Sequence, residues 1–343
     1  HRRGFSDETI ERNGYRSISA DFPWVNRYRK AKEQYQKLIP SIRKDNILKR
    51  RTPERLIAGL IAASILAKCG CELRGVPGFF RIDGVWCFNL EPGMLIPTRN
   101  AVGQIVALQV RRDKPSDWND YCKRTGQNKE FLRYMTISAK GLPDGVTTDI
   151  SQAHFPLGND SLDDPETAVC ITEGPLKADA AVELKGNRKM FFIALHGTSN
   201  TKTLPAIFAW LKGKGVETVF NVFDMDKVTN VNVAKAGKRV RAIAAGCGIK
   251  LAEKCWDAEY AQQKLSELNA ICCEHGIFVP TTFNVFTDLA NVSQELAKRN
   301  IRHSRVKNAD GLEEKHYWSD KTKGIDDYLL SIRTATGGEG ASA

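Results

Sequence analysis

No apolar run in this chain approaches the roughly 18–20 residues that a bilayer-spanning helix requires. The longest candidate, LIAGLIAASILA at residues 56–67, is too short and reads as a buried helix. No membrane partner is therefore expected. A paired cysteine framework is also missing. The nine Cys are odd in number and irregularly spaced, which fits reduced thiols in a cytoplasmic compartment. CGC (69–71) and CCEH (272–275) lack the paired ligand spacing of a structural zinc site. The opening HRRGFSDETI has no apolar core of the kind a secretory leader needs, so no leader is expected. The first residue is not Met, which predicts a processed or excised piece of a longer protein.

What the chain has in excess is positive charge. Over 343 residues the net charge is +11, while the 42% hydrophobic and 27% charged content are ordinary for a globular protein. Such a balance favours a polyanionic partner. Residues 1–75 hold 17 Lys and Arg against 8 Asp and Glu, so most of the excess lies there. Trp24, Tyr28 and Tyr35 are interleaved with these cations, a pattern suited to backbone contact and base stacking on single strands. A solvated basic face is the plainer alternative.

The chain divides into stretches of different character. Residues 1–75 read as a basic helical region, with a helix start at Thr52-Pro53-Glu54 and an apolar pattern to about Lys68. Residues 76–160 read as a small, mostly β subdomain. FFRIDGVWCFNL predicts a hairpin turning at Asp83-Gly84; two strands flank Asn100–Gly103, and RYMTISAKG (133–141) is another. Residues 161–332 alternate between strand and helix, with strands expected at AVCIT (168–172), KMFFIALHG (189–197) and VETVFNVFD (216–224). That alternation predicts a parallel sheet. Residues 248–280 read as one or two further helices. FNVF recurs at 220–223 and 283–286, either a partial duplication or an insert. Residues 333–343 read as a flexible tail.

Ligands of an open parallel sheet bind beyond the carboxyl ends of its strands. Glu173 directly follows the first expected strand, and Asp224 and Asp226 follow the third. If these strands are neighbours, the three carboxylates converge. Acids so gathered repel one another unless a cation neutralises them, and hard oxygen donors suit Mg2+ or Mn2+. Alternation along an extended chain would turn Asp224 and Asp226 to the same side, with Met225 away. The plainer reading makes Glu173 a helix N-terminal charge and the Asp pair a surface turn. His196 and Gly197, after the second strand, form a loop suited to phosphate, or simply a loop. Asp288 in the second FNVF segment reads as structural.

The run ITEGPLKADAA followed by VFDMDKVTNVNVAKA resembles the Toprim domain of bacterial-type DNA primases, topoisomerases and related nucleases. The resemblance is closest to primase-like Toprim proteins of phage and plasmid replication. It extends over GMLIPTRNAVGQIVALQVRRD, RYMTISAKG and KGIDDYLL (323–330). It implies an α/β fold: a Toprim-like parallel sheet flanked by helices, after a small mostly-β subdomain and a basic helical N-terminal region. It implies Glu173 as acid/base or metal-shaping group, with Lys177 beside it in the catalytic set. Asp224, Asp226, Asp326 and Asp327 would support divalent metal. Gly174 would allow close backbone approach to phosphate. Apart from the resemblance, Lys177 and Lys227 suit phosphate contact as point charges, and the His196–Gly197 loop suits phosphate or nucleotide. Arg99, Arg111, Arg112, Arg133, Ser138 and Lys140 would track nucleic acid. The partners implied are single-stranded DNA, nucleoside triphosphates and a replicative helicase.

Two departures stand out. Lys177 replaces the Asp that primases carry four residues after the Glu, and EGPLKA is nearer the topoisomerase form. Neither a tyrosine-bearing strand-passage region nor a zinc-binding template module is visible. The expected activity is metal-dependent nucleotidyl transfer; a Toprim-type nuclease and a non-catalytic DNA-binding or assembly module are the alternatives.

Overall fold

The computed structural model describes residues 3–19, 21–42, 51–113, 133–147, 152–301, 306–307, 313–314, 318 and 321–335. Residues 336–343 of the expected flexible tail lie outside the described residues. The chain forms two compact units. One comprises Ile10–Asn100 and Gln104–Gln152; the other comprises His1–Thr9, Ala101–Gly103 and Ala153–Ala343.

After α1 (Asp7–Asn13) and β1 (Arg16–Ile18), the first unit continues through α2 (Arg29–Gln36), α3 (Ile39–Ile42) and α4 (Pro53–Lys68). The start of α4 is the one its sequence signals. Thr52 stays extended and its side chain accepts from the Arg55 N–H at 3.3 Å, while Pro53 occupies the first turn. The apolar run is buried here: Leu56, Ile57, Leu60 and Ile61 pack with Phe80, Ile82 and Cys87 in one core. That core joins the expected helical stretch to the expected β stretch. Gly59 sits where α4 meets the chain at Cys87 and Phe88, and a Cβ there would collide with the Phe88 carbonyl oxygen.

The hairpin forms as read: β2 (Phe79–Ile82) and β3 (Val85–Phe88) pair antiparallel around Asp83 and Gly84, both at positive φ. An antiparallel sheet in the order β1-β4-β5-β6 is built with β4 (Gly93–Arg99), β5 (Ile105–Arg111) and β6 (Tyr134–Thr136). A register shift at Thr98/Arg99 marks the end of the long β4–β5 ladder.

The second unit holds a parallel sheet of four strands with helices between them. In chain order it runs β7 (Ala168–Glu173), α5 (Pro175–Leu184), β8 (Met190–Leu195), α6 (Leu204–Gly213), β9 (Thr218–Asn221), α7 (Val231–Gly246) and β10 (Lys250–Glu253). The spatial order is β10-β9-β7-β8, so β7 and β9 are direct neighbours. Then follow α8 (Ala258–Glu274), α9 (Val285–Lys298), the short pair β11 (Val306–Lys307) and β12 (Glu313–Glu314), and α10 (Ile325–Ala335). The sheet is cored by Val169, Ile171, Ile193, Leu195, Val219 and Leu251 against Phe208 and Val240 from the helices. Burial of each large side chain is worth about 1.5–3 kcal/mol against leaving it in water. No helix among the described residues is long and apolar enough to cross a membrane.

Two expectations need correction. Residues 248–280 are not all helix, because Lys250–Glu253 is a fourth parallel strand on β9. The FNVF echo is not a structural repeat. Its first copy spans the end of β9, whereas in the second Phe283 turns, Asn284 caps and Val285 begins α9. The Asn284 side chain accepts from the Thr287 N–H at 3.0 Å, so capping chemistry overrides the strand-like composition.

Candidate active site

Glu173 is the last residue of β7, the strand between β8 and β9. The next residue, Gly174, has φ 83°, a conformation that costs glycine little and L side chains much. It turns the chain straight into α5, with Pro175 in the first turn. One helical turn on, the Lys177 Nζ comes back over the strand end. It donates to Glu173 Oε1 at 3.2 Å and also to Asp224 Oδ1.

Asp224 reaches this point from β9. The Val222 N–H donates to the Ile171 carbonyl at 2.9 Å, keeping the two strands together past the regular ladder. The chain then leaves extended geometry: Met225–Val228 is a 3-10 turn. Strand alternation therefore does not aim Asp224 and Asp226, and Met225 is fully buried. Asp226 pairs with Lys323 at 3.2 Å, and the Met225 N–H donates to the Lys323 carbonyl at 2.9 Å.

That contact brings in α10. Trp256 donates to the Thr322 carbonyl at 2.6 Å and stacks on Tyr328, fixing the approach to α10. Asp326 in the first turn pairs with Arg3, and Asp327 accepts from the Gly324 N–H at 3.0 Å. A Cβ on Gly324 would collide with Asp326 Oδ1, and would lie 3.0 Å from Asp327 Oδ2 and 3.5 Å from Asp224 Oδ1. The acids from β7, the β9 turn and the start of α10 thus gather at one end of the sheet. Lys323 and Arg3 belong to this cluster with no role foreseen in the sequence. Each stood in a quoted stretch, KGIDDYLL or HRRGFSDETI, but nothing local signals an ion pair across so many residues.

The charges are uneven. Burial pushes Glu173 up to about 7; the Lys177 ammonium opposes this, and the neighbouring Asp224 reinforces it. Asp224 is held below the usual carboxylate range. Burial works against its charge, but Lys177 outweighs burial. Asp226 is raised by burial, with Lys323 opposing. Asp326 is pushed up to about 6, again by burial and against the pull of Arg3. Lys177 itself is raised, because Asp224 and Glu173 overcome its own desolvation.

The resemblance implies a divalent cation, and the donor set fits one: every candidate ligand is a carboxylate oxygen. Asp226 Oδ1 and Asp326 Oδ1 are buried with no hydrogen-bond partner among the described residues. In their present arrangement, no three His, Cys, Asp or Glu side chains among the described residues stand ready to hold an ion. The Lys177 ammonium lies between Glu173 and Asp224, so seating a cation requires these side chains to re-orient.

Other sequence candidates are placed elsewhere. Lys227 Nζ donates to the carbonyls of Asn221 at 2.9 Å and Lys254 at 2.6 Å and lies over the Trp256 ring. His196 follows β8 beside His154, and burial lowers it to about 4. His154 is paired to Asp179 at 3.0 Å. Gly197, at φ 86°, makes the turn after it. In the other unit, Arg111 lies at the end of β5 opposite Tyr134. Arg112 pairs with Glu91 at 2.7 Å, and Arg99 donates to the Asn13 carbonyl at 3.4 Å. Ser138 bonds Thr147 at 3.1 Å, while Arg133 and Lys140 are exposed.

A scan against protein-family models finds no match, and a search of curated proteins finds none. Among solved structures, the zinc-binding and RNA polymerase domains of Aquifex aeolicus primase match at 13% identity and TM-score 0.39, over 88% of this chain and 53% of that one. The RNA polymerase domain of Mycobacterium tuberculosis primase DnaG matches at 12% identity and TM-score 0.41, over 87% and 88%. The E. coli primase catalytic core matches at 13% and 0.38, over 98% and 75%. The chain spans about half the length of the Aquifex aeolicus structure.

Proposed function

We propose that the acidic end of the parallel sheet performs primase-like nucleotidyl transfer on a single-stranded DNA template. The observation that supports this reading is the gathering of Glu173, Asp224, Asp226, Asp326 and Asp327 at the carboxyl ends of β7 and β9 and the start of α10. Asp224, Asp226 and Asp326 would hold a divalent ion, which would supply charge stabilisation to a transferring phosphoryl group. Glu173, pushed up to about 7, is matched to taking the proton of an attacking 3′-hydroxyl near neutral pH. The new bond joins that oxygen to the α-phosphorus, and pyrophosphate leaves. Lys177 adds a positive charge beside the phosphate oxygens. Arg99, Arg111, Arg112, Arg133, Ser138 and Lys140 would hold template backbone. The setting implied by the sequence resemblance is phage or plasmid replication, with a replicative helicase as further partner.

The test is nucleotide incorporation on single-stranded DNA with Mg2+ or Mn2+. Wild type should extend strands only when nucleotides are present, and Asp224→Asn with Asp226→Asn should lose this by at least a hundredfold while still unfolding in one cooperative transition. Full activity in the double variant overturns the reading. Strand shortening without nucleotides assigns a nuclease instead. The Lys177 ammonium between Glu173 and Asp224 favours a second reading, a non-catalytic DNA-binding or assembly module, because it already pairs with two of the acids. Calorimetry separates the two: saturable Mg2+ binding that Asp224→Asn removes supports catalysis.

A further inference from the structure

Beside the acidic cluster, but lined by none of its carboxylates, α7 and α9 border an open cavity of about 600 Å3 at the ends of β9 and β10. That volume suits a small organic ligand. Its charged lining is lopsided: Lys227, Lys238, Arg241 and Lys254 face a single acid, Glu253. That acid is already engaged, by Arg241 at 2.7 Å and by the Asn221 amide at 2.9 Å. Lys227 is held by backbone carbonyls, the Arg241 head is shared with Glu253 and the Lys254 head lies over the Phe220 ring, while Lys238, Arg241 and Lys254 are all exposed residues of the rim. The opposite wall is different in kind. Phe286 and Ala290 on α9 are apolar and only partly covered, and Asn284 and Asn291 add amides. Cations on one side and an aromatic, amide-bearing wall on the other match a phosphate joined to a heterocyclic base.

The wall also contains a glycine that packing does not require. Gly237 lies within α7, where glycine weakens a helix. A Cβ there would meet nothing nearer than the Asn221 amide, at 3.5 Å. The loop leading into Asn284 holds Phe283 at φ 63°, and the residue is 95% exposed. Asp288 pins that loop by accepting from the Thr282 N–H at 2.6 Å and from the Thr281 hydroxyl at 2.8 Å. An uncovered aromatic side chain on a pinned backbone, one residue before the lining residue Asn284, is a surface on which a base can stack.

We propose that this cavity binds a free nucleoside polyphosphate, with its phosphates on Lys238, Arg241 and Lys254 and its base against the α9 wall. The site is separate from the acidic cluster, so an occupant acts as a second ligand of the same unit.

The experiment is calorimetric titration of the whole chain with ATP, with inorganic pyrophosphate and with a single-stranded oligonucleotide, in chelator. The background is Asp224→Asn with Asp226→Asn, so that failure of the nucleotidyl-transfer reading leaves the result intact. ATP should saturate one site at least fivefold more tightly than pyrophosphate. Lys238→Glu with Lys254→Glu, both at exposed positions outside any ion pair described above, should weaken ATP at least tenfold while the chain still unfolds in one cooperative transition. Lack of saturable ATP binding, equal affinity for ATP and pyrophosphate, binding by the oligonucleotide alone, or indifference to the double charge reversal would each overturn the proposal.

Discussion

A buried acid needs a counter-charge or a hydrogen bond, and two acids in this unit solve that need in opposite ways. Glu173 shares the Lys177 ammonium with Asp224 and is driven toward its neutral form. Asp288, which packing also buries, gathers a backbone N–H and two hydroxyls and is held below the usual carboxylate range by its bonds with Thr282 and Thr281. The sign of its pH effect follows. A folded value below the unfolded one of about 4 gives stability that is present above that pH and fades as pH falls through the lowered folded value. Asp288→Asn should therefore melt below wild type at pH 7, and the gap should close as both are titrated toward pH 3. Melts that stay equally far apart at both ends would show that Asp288 acts through packing alone. From the sequence, Asp288 was readable as structural and Glu173 as special. What was not readable is that Lys323 and Arg3, at opposite ends of the chain, would be the partners of Asp226 and Asp326.

Whole elements were legible where local chemistry and packing agree. Thr52-Pro53 starts α4, Asp83-Gly84 turns the β2–β3 hairpin, and the apolar run of β7 ends at its acid. They were illegible where the element is short or where a cap overrules composition. β10 has only four residues, half of them exposed, and offers no period to detect. The second FNVF copy has strand-like residues but an Asn that caps a helix. Helix interiors give a sharper contrast, because α4 and α7 each contain a glycine that propensity alone would replace by alanine for a gain of about 1 kcal/mol. At Gly59 the added Cβ would strike the Phe88 carbonyl oxygen and lie 2.9 Å from Cys87 Sγ, so a neighbouring strand would have to move. At Gly237 it finds ordinary contact distance. Urea unfolding should thus show Gly59→Ala destabilising by about 1–3 kcal/mol, the usual cost of overpacking, and Gly237→Ala stabilising by about 0.5–1 kcal/mol. Equal shifts in the two variants would mean that helix propensity, not the approach of β3, governs position 59.

At the scale of the whole molecule the governing quantity is the net charge of +11, too large to be incidental to a protein proposed to handle nucleic acid. Charge of this kind acts by displacing counterions, so affinity for a single strand should fall with salt at a logarithmic slope of about −0.7 per phosphate contacted. The cations differ in how directly they can be tested: Arg112 also pairs with Glu91 and Arg99 with a backbone carbonyl, whereas Arg133 and Lys140 are exposed residues of the antiparallel unit. Anisotropy titrations with a labelled oligonucleotide between 50 and 200 mM salt should therefore show a steep slope in the wild type. Arg133→Ala and Lys140→Ala should each make it shallower by about 0.7, with the same loss on oligonucleotides of unrelated sequence, because phosphate contacts carry no base information. A slope that neither substitution moves would place the strand on other cations and remove these two residues from the template path.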